Sequence, residues 1–135
     1  MNKLNRKLEY SLMALKHMSE KPMGELTSAK EVSESYHAPF DATARVMQMM
    51  AQKGLLRAEH GAFGGYLITR DLSKVTLNDL LEVIQGPTKI AKCMGKVDPC
   101  EMQTSCNIIS PVHQLNKKLN EFYQGTSLKD LLSSK

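Results

Sequence analysis

At Gly54 the hydrophobic pattern of this 135-residue chain changes period. Before it, apolar residues recur every three or four positions in three segments, the spacing of amphipathic helices. After it come two short runs, 55–59 and 66–69, joined by a turn at 60–65 that contains Gly61, Gly64 and Gly65. A glycine-rich turn between short apolar runs predicts a β-hairpin, with the glycines permitting positive φ. Three helices followed at once by a small hairpin leave few folds open.

The first helix carries Leu4, Leu8, Leu12 and Leu15 on one face and ends at Pro22–Gly24. Ser28 with Glu31 three residues later predicts a capping box, in which each side chain satisfies a backbone N–H at the start of a short helix ending near Tyr36. His37 to Pro39 make a tight break, and Pro39 suits the first turn of a third helix. Phe40, Thr43, Met47 and Met50 share one face of that helix, and Gly54 stops it. Beyond the hairpin, Thr76 and Asp79 cap a fourth helix whose Leu77, Leu80, Leu81 and Ile84 face the core, with Gly86-Pro87 ending it.

Residues 88–107 have no clear periodicity. A long helix then follows, capped by Ser110, with Pro111 at its first position and Gly125 beyond its end. Ile108, Val112, Leu115, Leu119 and Phe122 step by 4, 3, 4 and 3 residues, the spacing of a coiled-coil seam. A last short helix, Leu128 to Leu132, is capped by Thr126 or Ser127. The expected fold is mainly α with a small β-hairpin wing: a winged helix-turn-helix at 1–86, a cysteine loop at 87–107, and a dimerisation helix with a C-terminal helix at 108–135.

In a winged helix-turn-helix the third helix enters the major groove and the wing lies over the backbone or reaches the minor groove. The candidate DNA contacts are Asp41, Thr43, Ala44, Arg45 and Gln48 on the third helix, with Arg57 and His60 on the wing. Arg45 can read guanine bidentately and Gln48 can read adenine. A solvated helix face is the alternative for each residue taken singly. The net charge of +4 tolerates a polyanionic partner without demanding one. Hydrophobic residues are 41% of the chain but aromatics only 5%, so the core must be aliphatic and methionine-rich. No run is apolar enough to span a membrane, and the polar, basic start does not read as a signal peptide, so a cytoplasmic protein is expected. No nucleophile–base pair, phosphate loop or zinc-protease motif points to an enzyme.

All three cysteines lie within one short stretch, Cys93, Cys100 and Cys106, separated by six and five residues. In a reducing compartment such a cluster reads as metal or redox chemistry first. Iron–sulfur clusters need soft thiolate ligands. Gly95 and Pro99 suit a wrapping loop, and Lys89, Lys92 and Lys96 favour thiolate over thiol. On spacing alone the cysteines could also be unligated, hold zinc with a distant histidine, or form a redox disulfide with one thiol spare.

The stretches Pro39-Phe40-Asp41 through Val46-Met47-Gln48, Lys53-Gly54-Leu55-Leu56 and Gly61-Ala62-Phe63-Gly64-Gly65-Tyr66-Leu67, with Val75 to Leu81 and Ser127 to Leu132, resemble the bacterial winged-helix iron–sulfur transcription regulators typified by IscR and NsrR. The resemblance covers nearly the whole chain. It implies a homodimer, joined through the long C-terminal helix, that binds a roughly palindromic double-stranded operator. Some members use an arginine in the minor groove where this chain has His60. Cluster-binding members carry three cysteines at this place, which implies a two-iron or four-iron cluster here.

Members like IscR add a histidine three residues after the last cysteine, where this chain has Ile109. Others resemble NsrR and draw a carboxylate from the partner's first helix; the matching residue is Glu9. His113 is the alternative, with His17 and His37 more distant options. The function implied is a transcription regulator that acts as a repressor and senses redox state, nitric oxide or cluster supply. Its rivals are a cluster-free regulator sensing oxidants by cysteine disulfide exchange and a small iron–sulfur carrier.

Overall fold

The structure is a computed structural model that describes residues 5–86 and 105–133. It has six α-helices, a two-stranded sheet and one 3₁₀ turn among those residues. Helix α1 spans Arg6–Ser19, and its N-cap Asn5 accepts a bond from the Lys7 N–H through its side chain. Leu8, Ala14, Leu15 and Met18 are buried along its inner face and Leu12 is half-buried against the core. Leu4, expected on the same face, lies outside the described residues.

Helix α2, Ala29–Tyr36, starts as expected at Ser28, whose hydroxyl accepts from the Glu31 N–H at 3.1 Å. The reciprocal half of the capping box is not made. The Glu31 carboxylate turns instead to His17 and Lys21. Hydrogen bonds between charged partners are stronger than a bond to a neutral amide, so the donors at the end of α1 take the side chain. α2 closes on His37 in the left-handed region.

Helix α3, Phe40–Gln52, buries Thr43, Val46, Met47 and Met50. Phe40 was expected on that inner face and is half-exposed: it is the first residue of the helix, and Ala38 before it is the buried one. Gly54 has φ +83°, as a glycine that ends a helix should.

Strands β1, Leu56–Glu59, and β2, Gly65–Ile68, pair antiparallel with Leu56 opposite Ile68 and Glu59 opposite Gly65. Each runs one residue off the sequence expectation. Thr27 and Tyr66 exchange two backbone hydrogen bonds of 3.1 and 2.8 Å, which ties the wing to the α1–α2 connection. Of the three wing glycines, only Gly61 has positive φ. Gly64 and Gly65 are required for a different reason: a Cβ would sit 2.8 Å from the Glu59 carbonyl oxygen at the first and 2.9 Å from the Thr27 carbonyl oxygen at the second.

A 3₁₀ turn at Leu72–Lys74, with no counterpart in the sequence reading, leads to helix α4, Leu77–Gln85. Thr76 and Asp79 form the full capping box. Leu80, Leu81 and Ile84 are buried, and Leu77 is half-buried. Helix α5, Ile109–Gln124, begins before the expected cap at Ser110 and has no side-chain cap. Pro111 stays in the first turn, where a missing N–H costs no helical bond. Helix α6, Leu128–Ser133, takes Ser127 rather than Thr126 as its cap. Leu128 is fully buried, and its N–H donates to the Val75 carbonyl at 2.8 Å, so the chain end closes onto the same core.

Gly65→Ala tests the wing attachment. The added methyl meets backbone atoms, which cannot rotate away, so a loss of about 1–3 kcal/mol is expected, the usual cost of forcing an extra methyl into a packed site. Urea unfolding of the variant and the parent measures it; equal midpoints would show that the hairpin does not depend on this approach.

Candidate nucleic-acid interface and metal centre

The inner face of α3 is held by the core, so its outer face is left to solvent. Asp41, Arg45 and Gln48 are exposed there, and Ala44 is half-buried between them. Arg45 makes no ion pair among the described residues. Thr43 does not share this face. It is fully buried, and its hydroxyl donates to the Pro39 carbonyl one turn back. Lys7 of α1 joins Asp41, Ala44, Arg45 and Gln48 around an open groove of about 420 Å³. Nothing in the sequence pointed to Lys7, because which outward charge of α1 lies beside α3 depends on how the two helices cross.

On the wing, Arg57 donates to Glu59 at 2.8 Å, two residues along the same strand face. A surface pair of this kind holds weakly, so the guanidinium can exchange it for another anion. His60 is exposed at the start of the turn.

Cys106 is a free, half-buried thiol three residues before α5 begins. Cys93 and Cys100, with Gly95, Pro99, Lys89, Lys92 and Lys96, lie outside the described residues. Glu9 is half-buried on α1, and its carboxylate accepts from the Arg6 guanidinium at 3.1 Å. His113 is exposed on α5, and His37 is exposed at the end of α2. Among the described residues no three histidine, cysteine or acidic side chains come together as a metal site. The donor chemistry of the whole candidate set does suit an iron–sulfur cluster: soft thiolates with one harder carboxylate or imidazole.

His17 has both ring nitrogens engaged, Nδ1 with the Tyr36 hydroxyl at 2.7 Å and Nε2 with Glu31. Serving as a ligand would break one of these contacts. Lys21 completes the cluster, donating to Glu31 at 2.9 Å and to the Leu26 carbonyl at 2.7 Å. Partial burial pushes the Glu31 carboxyl up. Hydrogen bonds from His17 and Lys21, with their charges, outweigh that and hold it below its ordinary value. These contacts pin α2 against the end of α1 and so set the platform on which α3 rests.

Residues 4–134 match the Rrf2 family, described as iron-dependent transcriptional regulators. The chain belongs to the Rrf2 family. Among its relatives is the HTH-type transcriptional regulator CymR of Bacillus subtilis, 22% identical over 131 residues that cover 97% of this chain and 90% of CymR. The solved structure of that global cysteine regulator superposes with a TM-score of 0.74 at 21% identity, covering 98% of each chain. IscR of T. potens superposes with a TM-score of 0.66 at 20% identity over 98% of this chain and 87% of that one. The structural neighbours share the winged-helix fold, and the Rrf2 match makes this chain a transcriptional regulator.

The Glu31 cluster gives the Rrf2 scaffold a dependence on acid. A carboxyl depressed on folding adds stability above its unfolded value, near 4.5, and that stability is lost as pH falls through the lower folded value. Glu31→Gln should therefore be less stable than the parent at neutral pH, with the difference shrinking below pH 4.5. Melting temperatures across that range read it directly, and a constant difference would show that the carboxylate charge is not what holds α2.

Proposed function

We propose that this Rrf2 protein is a cytoplasmic homodimer that binds a palindromic operator and senses through Cys93, Cys100 and Cys106, most simply as ligands of an iron–sulfur cluster. The observation that carries the proposal is the grouping of all three cysteines in one short stretch of a chain from an iron-dependent regulator family. When bound, such a cluster supplies iron that reacts with oxygen or nitric oxide, and repression would follow its occupancy.

The chain's own residues provide the output. Cys106 stands at the root of α5. No residue of α5 is fully buried, and Ile108, Leu115 and Phe122 of the seam are exposed while Val112 and Leu119 are half-buried. A second copy of this helix would cover that stripe. Glu9 stands on α1, which packs against α3, so a carboxylate reaching across the dimer would join the cysteines of one protomer to the DNA-reading helix of the other. α3 would read the major groove through Arg45 and Gln48, with Asp41, Ala44 and Lys7 beside them and Arg57 and His60 on the wing.

A second reading has its own support. The relatives include the global cysteine regulator of Bacillus subtilis and CymR of Staphylococcus aureus solved in an oxidised form. A cluster-free regulator that forms a disulfide between two of its cysteines suits the same three residues.

Iron and sulfide analysis, with the visible spectrum of protein purified without oxygen, separates the two readings. Bound iron, lost on replacing any one cysteine by alanine, is expected for the cluster. Glu9→Ala should keep a cluster with an altered spectrum and faster loss, and His113→Ala should resemble the parent. Iron-free protein that forms a reversible disulfide would establish the second reading instead.

The DNA side is tested through Arg45→Ala. Loss of a bidentate base contact should weaken operator binding by about 1–3 kcal/mol while leaving fold and dimer intact. Unchanged affinity at fixed salt would remove Arg45 from the readout.

A further inference from the structure

We infer that Phe63, at the tip of the wing, is an apolar wedge that enters the minor groove of the operator and opens a base step. The inference rests on the reading of the protein as a DNA-binding regulator and adds a contact of a different kind from those of α3.

The strands end where Glu59 faces Gly65. Beyond them the Gly64 N–H donates to the Gly61 carbonyl at 3.2 Å, closing a tight turn with Ala62 and Phe63 at its corners. Phe63 is 90% exposed, against 52% for Phe40 and 65% for Phe122. The turn cannot hold larger residues around it. Gly61 sits at φ +123°, and a Cβ on Gly64 would lie 2.8 Å from the Glu59 carbonyl oxygen. The tip is therefore slim and tightly bonded, with one large side chain projecting from it.

Residues 61–65 carry no charge, so the tip is not built to grip phosphates. The wing's charges, Arg57 and Glu59, lie below it on β1, and His60 stands at the start of the turn. A slim uncharged tip suits a groove about 6 Å wide. Phenylalanine is among the side chains that proteins insert between base steps from the minor groove, unstacking them and bending the duplex. The position favours DNA over a protein partner. The hairpin follows directly from α3, whose outer face presents Arg45 and Gln48, and the chain has a separate apolar stripe on α5 for a second copy.

The test uses the full-length protein and an operator recovered by selection from random duplexes. The recovered site should carry a flexible pyrimidine–purine step, which kinks most easily, where the wing falls. Phe63→Ala should bind at least about tenfold more weakly and bend the duplex less, while Phe63→Leu, which keeps an apolar wedge, should bind close to the parent. The salt dependence of binding should not change, because no charge is removed. The melting temperature should not change either, since the side chain is outside the core. The chain has no tryptophan, so Phe63→Trp introduces a single fluorophore whose emission should be quenched on operator binding.

Phe63→Ala binding and bending the operator like the parent would overturn the wedge. So would loss of self-association in that variant with DNA binding intact, which would assign Phe63 to a protein contact. Failure to enrich any duplex with the parent protein would overturn the DNA-binding reading itself, and the wedge with it.

Discussion

Val46, Met47 and Met50 have no exposure to solvent, and the arrangement of the molecule follows from their burial. They lie on the inner face of a 13-residue helix that packs against α1, α2, β1 and α4. Once that face is committed, α3 cannot rotate about its axis without exposing three large apolar side chains, each worth about 1.5–3 kcal/mol of burial. Its outward residues are thereby set in direction as well as position. A chain with no tryptophan and few other aromatics makes this core from aliphatic and thioether side chains. Flexible methionines fill the irregular space where helices meet at different angles.

Two polar features hold what the core leaves loose. The Glu31 carboxylate, shared by His17 and Lys21, joins the end of α1 to the start of α2. The Thr27–Tyr66 backbone pair then joins the connection between those helices to the wing. The first is electrostatic and weakens in acid. The second is a pair of amide hydrogen bonds made possible by the absence of a side chain on Gly65. Both act on the same segment, so helix packing and wing orientation are coupled through residues 27–31.

The second half of the chain is built differently. α4 and α6 contribute to the central core, whereas α5 buries no residue fully. Ile108, Leu115 and Phe122 of its seam lie open in the single chain, while the Thr126–Leu77 backbone bond just after the helix ties its C-terminal end to the start of α4.

Much of the local structure could be read from sequence because it depends on near neighbours. The Thr76–Asp79 capping box, the stop at Gly54, the hairpin between 55 and 69 and the inner faces of α1, α3 and α4 need only the identities of residues a few places apart. The clustering of the three cysteines is visible in the sequence itself, and the family resemblance is what implies a metal cluster for them. Other features depend on residues distant in the chain. Glu31 left its expected backbone partner because His17 and Lys21 arrive from another helix, and Gly65 is required because Thr27 lies against it. Lys7 joins the face of α3, and Phe63 is left projecting, only once the helices have crossed and the hairpin has closed. Periodicity and capping act over one or two turns of chain, so the sequence alone determined the main elements and most of the residues on the inner faces of α1, α3 and α4. Which charges meet, which glycines are indispensable and which apolar side chains stay uncovered were decided by tertiary packing, because those contacts exist only between segments that folding brings together.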